Sequence, residues 1–108
     1  MPAIKIYKVF LTPDAIQDLK DIYEYIAEAS GHPEIAWAYI GKLRGKCHSL
    51  EAAPPRGRKR DDLRKNLRVI PIDKNAVAAF EVNEKKRTVT ILNIFYGGRD
   101  YETIMRDI

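Results

Sequence analysis

One apolar stretch, Thr88 to Tyr96, constrains the fold of this chain more than any other feature. It lacks proline, and its β-branched and aromatic side chains fit a pleated, half-buried surface. Both alternating sets are apolar, with Val89, Ile91 and Phe95 on one side and Leu92, Ile94 and Tyr96 on the other. The run therefore predicts a central strand covered on both faces. Gly97 and Gly98 end it, since paired glycines allow positive φ.

The length of 108 residues predicts one domain, spanning 1–108. No apolar run approaches the roughly 18 residues of a membrane span. Met1 to Leu11 lacks the apolar core and cleavage site of a secretory signal. The single cysteine, Cys47, excludes an internal disulfide, so a reducing cytoplasm is the expected location.

A first strand is predicted from Ile4 to Leu11, followed at once by a helix. Thr12 can cap this helix, Pro13 suits its first position, and Asp14 suits the positive end of its dipole. Its apolar stripe comprises Ala15, Leu19, Ile22 and Ile26, widened by Ile16 and Tyr23. The acidic residues are expected on the opposite face: Asp14, Asp18, Asp21, Glu24 and Glu28.

After a break with Gly31 as the expected C-terminal cap, a second helix is predicted from Pro33 to about Leu50. One face carries Ala36, Ile40, Leu43, Cys47 and Leu50, which should pack on the first helix as an antiparallel hairpin. Cys47 is interpreted as a buried hydrophobe rather than a nucleophile. The opposite face carries Ala38, Gly41 and Gly45, which indicates either close approach of another helix or tolerated glycine. Trp37 beside it either anchors an interface or covers the edge of the core.

Three strands are predicted near the C-terminus: Leu67 to Ile72, Ala76 to Val82, and Thr88 to Tyr96. Short polar turns join them, which is typical of an antiparallel meander. The expected order is strand, helical hairpin and three-stranded meander, an α+β arrangement with the hairpin on one face of the sheet.

The positive charge of the chain is concentrated between residues 56 and 68, where seven arginines and lysines against two aspartates give a net charge of +5. Pro54 and Pro55 precede this segment, which is predicted to be a loop or short turn rather than a regular element. It either attracts phosphate or an acidic protein partner, or is simply a solvated loop.

Neither a metal nor a cofactor is expected, because His32, His48 and Cys47 lack paired ligand spacing and no phosphate-binding glycine loop occurs. Arginines could form a cluster that clamps phosphate or carboxylate, if the meander brings them together. They are Arg58, Arg68 and Arg99. Acid–base candidates nearby are Tyr96, Tyr101 and Glu102. Alternatively, Arg99 and Asp100 pair to fix the final turn.

Several stretches in this order resemble the ParE branch of the RelE/ParE toxins. They are T-P-D-A-I-Q-D-L-K-D-I-Y-E-Y-I, the P-x-x-G-R loop at Pro54 to Arg58, the strand opening at Asn66 to Arg68, and the ending I-L-N-I-F-Y-G-G-R-D. The resemblance implies a β-α-α-β-β-β fold and a toxin of a bacterial type II toxin-antitoxin system. It further implies inhibition of DNA gyrase by protein binding, growth arrest and plasmid stabilisation. A ParD-like antitoxin would neutralise the toxin, and operator DNA would be bound only through that complex.

The resemblance also implies roles for single residues: Arg58 matches the family's loop arginine, Arg68 its strand arginine, and Arg99-Asp100 its terminal pair. Tyr96 departs from the histidine found in many ParE members. The residues expected to contact the target or partner are Arg58, Lys59, Arg60, Arg68, Trp37, Tyr96, Arg99, Asp100 and Tyr101.

Two other functions stay open from the sequence. The first is a RelE-like, ribosome-dependent messenger endoribonuclease that uses Arg58, Arg68, Arg99 and Tyr96. Met105 stands where RelE nucleases usually carry a catalytic tyrosine, which weakens this alternative. The second is a decayed toxin that retains only antitoxin binding.

Overall fold

The computed structural model describes residues 6–52 and 57–98. Its elements in chain order are β1 (Lys8–Leu11), α1 (Pro13–Ser30), α2 (Pro33–His48), a 3-10 turn (Ser49–Glu51), β2 (Arg58–Lys59), β3 (Arg68–Asp73), β4 (Ala76–Asn83) and β5 (Thr88–Tyr96). This order confirms the predicted α+β class. Neither helix in the described ranges is long and apolar enough to cross a membrane.

The strands form one mixed sheet in the order β1-β5-β4-β3-β2. β3, β4 and β5 pair antiparallel, which confirms the predicted meander. β1 lies parallel to β5, with Lys8 opposite Thr88. β5 is therefore an interior strand, and its bounds match those expected from its sequence.

The first strand is shorter than the predicted Ile4 to Leu11. Ile4 lies outside the described residues, and Ile6 precedes the strand. The N–H of Tyr7 donates to the carbonyl of Glu51 at 2.9 Å rather than to a neighbouring strand. Pairing starts only at Lys8 because its partner strand begins at the residue opposite.

The helical hairpin has the ends that local capping predicts. Thr12 Oγ1 accepts a hydrogen bond from the N–H of Ala15 at 3.1 Å, and Pro13 opens α1. Gly31, at φ 70°, closes the helix and donates its N–H to the carbonyl of Ala27 at 3.0 Å. The predicted inner face of the second helix is buried throughout: Ala36, Ile40, Leu43, Cys47 and Leu50.

A β-bulge interrupts β5. Ala79 pairs with Asn93 but the next residue, Phe80, pairs with Ile91, so Leu92 is an extra residue. The predicted assignment of β5 side chains to the two faces of the sheet is therefore wrong, because the extra residue inverts the alternation for every residue after Leu92. Val89, Ile91 and Ile94 belong to the core beneath the hairpin, whereas Leu92 and Phe95 pack on the other face of the sheet.

Side chains from the first helix hold the bulge in place. Thr12 Oγ1 donates to the carbonyl of Leu92 at 2.9 Å. Asp18 Oδ2 accepts from the N–H of Ile94 at 2.9 Å and from Nδ2 of Asn93 at 3.1 Å. Asp18 was expected among outward-facing acidic residues; it instead reaches β5, because the bulge offers it a backbone donor.

The second face of the sheet is covered by the segment that was predicted to be a basic loop. Part of it is the short strand β2, so the expectation of no regular element is wrong. Beyond β2 the chain turns back, and the N–H of Arg60 donates to the carbonyl of Leu67 at 2.8 Å. Apolar residues of this turn complete a small second core, which consists of Leu63, Leu67, Val69, Ala79 and Phe95.

Candidate functional site

Three cationic residues lie together at the β2 edge of the sheet, and we call them the basic edge: Arg58, Lys59 and Arg68. Arg58 and Lys59 are exposed, and Arg68 is half-buried. β2 ends the strand order, so this border of the described sheet is not covered by another of its strands. Cations along such a border can bind carboxylate or phosphate groups.

The pairing of β2 with β3 separates the two arginines that were expected to act together. Arg58 lies opposite Val69, which belongs to the second core. Arg68 lies opposite Lys59 on one side and Phe80 on the other, and Phe80 belongs to the core beneath the hairpin. Because side chains directly opposite each other share a face, Arg58 and Arg68 project from opposite faces of the sheet.

Arg60, which was expected to contact a partner, is almost enclosed by the protein. The residue is 8% exposed. Its Nε donates to Asp62 Oδ1 at 3.0 Å and its Nη2 to Asp62 Oδ2 at 2.8 Å. A bidentate pair of this kind fixes the guanidinium and satisfies a charge held largely away from water. Arg60 thus stabilises the turn that follows the basic edge.

A second surface lies where β5 ends, and we call it the aromatic end: Tyr25, Tyr39 and Tyr96. The ring of Tyr96 lies 5.9 Å from that of Tyr25 and 5.7 Å from that of Tyr39, measured between centroids. Both separations fall in the range of favourable tilted or edge-to-face packing. Tyr25 is 62% exposed, so the cluster reaches from the core to the surface.

The hydroxyl of Tyr39 is anchored to a charged pair. It donates to Asp73 Oδ2 at 2.6 Å, and Lys42 Nζ lies 3.0 Å from Asp73 Oδ1. Burial raises the pKa of Tyr39 well above its ordinary value, and the hydrogen bond to Asp73 raises it further. The same hydrogen bond, with that from Lys42, lowers the pKa of Asp73 to about 2. Tyr39 is therefore a neutral donor that positions the aromatic end.

The basic edge and the aromatic end are separated along the sheet. Tyr96 pairs with Ala76 at the start of β4, whereas Arg68 pairs with Phe80 four residues farther along. Four residues of strand span about 13 Å. The two surfaces can therefore bind separate groups. The basic edge is suited to anionic groups, and the aromatic end to apolar or cationic groups.

The remaining predicted site residues are placed as follows. Trp37 is 69% exposed, and its ring meets Tyr23 edge-to-face at a centroid distance of 6.3 Å. Arg99, Asp100 and Tyr101 lie outside the described residues, as do Glu102 and Met105.

Sequence reasoning missed Tyr25, Tyr39 and Asp73. Tyr39 precedes the buried Ile40 on α2, so its ring lies at the border of the core. A tyrosine at such a position usually needs a hydroxyl partner, which is the signal that the sequence offered. The partner, Asp73, could not be identified because its turn is distant in sequence.

Comparison with known proteins identifies relatives of this chain. The family model of the ParE toxin of the type II toxin-antitoxin system parDE matches residues 9–101. A comparison with curated protein sequences found no significant match.

Solved structures share the fold at low sequence identity. A chain of the chromosomal ParDE toxin-antitoxin system of Pseudomonas aeruginosa has a TM-score of 0.71 at 20% identity, covering 85% of this chain and 97% of its own. A chain of the RelBE2 toxin-antitoxin complex of Mycobacterium tuberculosis has a TM-score of 0.60 at 18% identity, covering 89% and 97%. A mutant of Escherichia coli toxin RelE in the free state has a TM-score of 0.63 at 10% identity, covering 94% and 95%.

Proposed function

Because the chain belongs to the ParE toxin family of type II toxin-antitoxin systems, we propose that it arrests growth by binding DNA gyrase, without catalysis of its own. We also propose that a ParD-like antitoxin neutralises it and that operator DNA is bound only through their complex. Family membership supports this choice of target, and the exposed surfaces described above are the proposed means of recognition.

The observation that carries the non-catalytic mode is the placement of the arginines. A nuclease that clamps a scissile phosphate needs its cations to converge and needs groups that move protons beside them. Arg58 and Arg68 project from opposite faces, and Tyr96 lies about 13 Å along the sheet from Arg68. These positions favour recognition of a protein over cleavage of RNA.

Two assays on purified protein test the proposal. In the first, gyrase supercoils relaxed plasmid with increasing amounts of the toxin; in the second, the toxin is added to ribosomes stalled on a messenger. We expect supercoiling to be inhibited in proportion to the amount of toxin added, with the messenger intact. Messenger cleavage with normal supercoiling would instead assign the RelE-like nuclease activity. Inactivity in both assays, with no growth arrest on expression, would identify a decayed toxin.

The basic edge is proposed to contact acidic groups of the antitoxin. Arg58 is exposed at the sheet border, where a carboxylate can approach from solvent. Reversing its charge with Arg58→Glu should weaken the toxin–antitoxin complex by about tenfold, since an attraction becomes a repulsion. Calorimetry measures the affinity, and Lys85→Glu, an equal reversal in the β4–β5 turn, is the control. Equal affinities for both variants and the wild type would exclude the basic edge from this contact.

A further inference from the structure

A recess beside the aromatic end is not used by the proposed function. It lies between α1 and the end of β5 and has a volume of about 330 Å³. Ile22 and Ile94 form an apolar lining, and both are buried, at 6% and 1% exposure. Tyr25 and Tyr96 add two aromatic rings, tilted by 59°.

The charge of the recess is negative. Asp18 and Asp21 line it, and the described lining residues include no arginine, lysine or histidine. Asp21 is exposed, and its Oδ1 accepts from Gln17 Nε2 at 3.0 Å. The surrounding helix adds to this potential, because residues 13–30 carry five acidic residues against one lysine, a net charge of −4 in a chain whose total is +4.

We propose that this recess receives an arginine side chain of a partner protein. The exposed carboxylate of Asp21 would bind the guanidinium, and the tyrosine rings offer π-faces on which it can stack. Asp18, which is bonded to Asn93 and Ile94, would add negative potential from behind. The three methylene groups of arginine would lie along Ile22 and Ile94, which a hydrated ion or a compact polar ligand could not cover. The negative charge around the recess complements the positive charge of the arginine side chain.

Arginine fits better than lysine for two reasons. Its planar guanidinium stacks on aromatic rings and is more weakly hydrated than an ammonium, so less hydration is lost on entering the recess. Its forked guanidinium can also donate two parallel hydrogen bonds to the exposed carboxylate of Asp21, which an ammonium cannot. This inference is independent of whether gyrase or the ribosome is the target.

The test titrates Nα-acetyl-arginine methylamide into the full chain. Binding is monitored through the backbone amide chemical shifts of the protein. We expect saturable shifts at Asp21, Ile94 and Gly97, with a dissociation constant on the order of 1 mM. The neutral analogue Nα-acetyl-citrulline methylamide has the same length and shape, and it should bind about tenfold more weakly. Equal binding of the two probes would overturn the proposal.

Substitutions locate the binding. Asp21→Asn removes one charge at an exposed position and should weaken the arginine probe by about fivefold. Asp14→Asn, the matched change on α1 two turns from Asp21 and outside this recess, should alter binding by less than about twofold, because about 10 Å of screened solvent separates the two carboxylates. Equal effects would overturn the proposal, since they would indicate only the general charge of the helix.

Discussion

Thr12 performs two tasks with one hydroxyl, and its substitution gives the sharpest test of the fold. Its Oγ1 accepts the N–H of Ala15 at 3.1 Å, which caps α1. The same oxygen donates its proton to the carbonyl of Leu92, the extra residue of the bulge, at 2.9 Å. The hydroxyl therefore joins the start of the hairpin to the interior strand.

The expected cost of Thr12→Ala follows from these two bonds. Loss of an N-cap costs about 1 kcal/mol, and loss of an ordinary hydrogen bond to a carbonyl costs about 1 kcal/mol. The free energy of unfolding should therefore fall by about 2 kcal/mol. In a domain of this size, that lowers Tm by about 8 °C.

Two further substitutions separate the tasks. Thr12→Ser keeps both bonds and should stay within about 0.5 kcal/mol of the wild type. Thr12→Asp keeps a strong capping acceptor but, once ionised, has no proton to donate to Leu92, so its stability should be intermediate. Urea unfolding followed by circular dichroism gives all three values. Equal stability of the serine and aspartate variants would refute the contact with the bulge, and equal loss in serine and alanine would show that the methyl group matters instead.

Glycines and a titrating carboxylate provide the remaining predictions. Gly57→Ala should destabilise the protein by about 1–3 kcal/mol, because φ is +85° and a Cβ would lie 2.5 Å from the carbonyl oxygen of Val69. Gly41→Ala places its new Cβ in open space and should stabilise the protein by about 0.5–1 kcal/mol. Thermal unfolding measures both variants, and a higher Tm for Gly57→Ala or a lower Tm for Gly41→Ala would contradict the corresponding prediction. The lowered pKa of Asp73 means that it contributes stability above about pH 4, which is lost as the pH falls towards 2. Tyr39→Phe should flatten this pH dependence, and an unchanged slope would contradict the assigned hydrogen bond.

Local signals in the sequence predicted the hairpin and the meander well. Thr12 and Gly31 cap α1 as expected, because capping depends on neighbouring residues alone. Cys47 is buried, which confirms its interpretation as a buried hydrophobe, and this burial raises the pKa of its thiol to about 11. β5 has its expected bounds because β-branched and aromatic residues dominate the stretch from Thr88 to Tyr96, and Gly97 and Gly98 end it.

The features that the sequence did not predict all depend on pairing between distant residues. β2 has only two residues, and its exposed Arg58 and Lys59 carry no strand-like pattern; it exists because β3 offers it backbone partners. Asp18 looks like any outward-facing acidic residue of a helix until the bulge brings the N–H of Ile94 within reach. Such contacts follow from the register between strands, and local signals along one segment do not reveal it until the partner strand is known.

The bulge also decides which residues can form the aromatic end. With unbroken alternation, Val89 and Ile91 beneath the hairpin would place Phe95 there too and turn Tyr96 to the opposite face. The extra residue at Leu92 shifts the phase, so Tyr96 shares a face with Ile94 and meets Tyr25 and Tyr39. The one extra residue in β5 thus moves Tyr96 from the face of the second core to the hairpin face, where its ring reaches the surface. The recess between α1 and β5 depends on the same shift, because Tyr96 forms one of its walls.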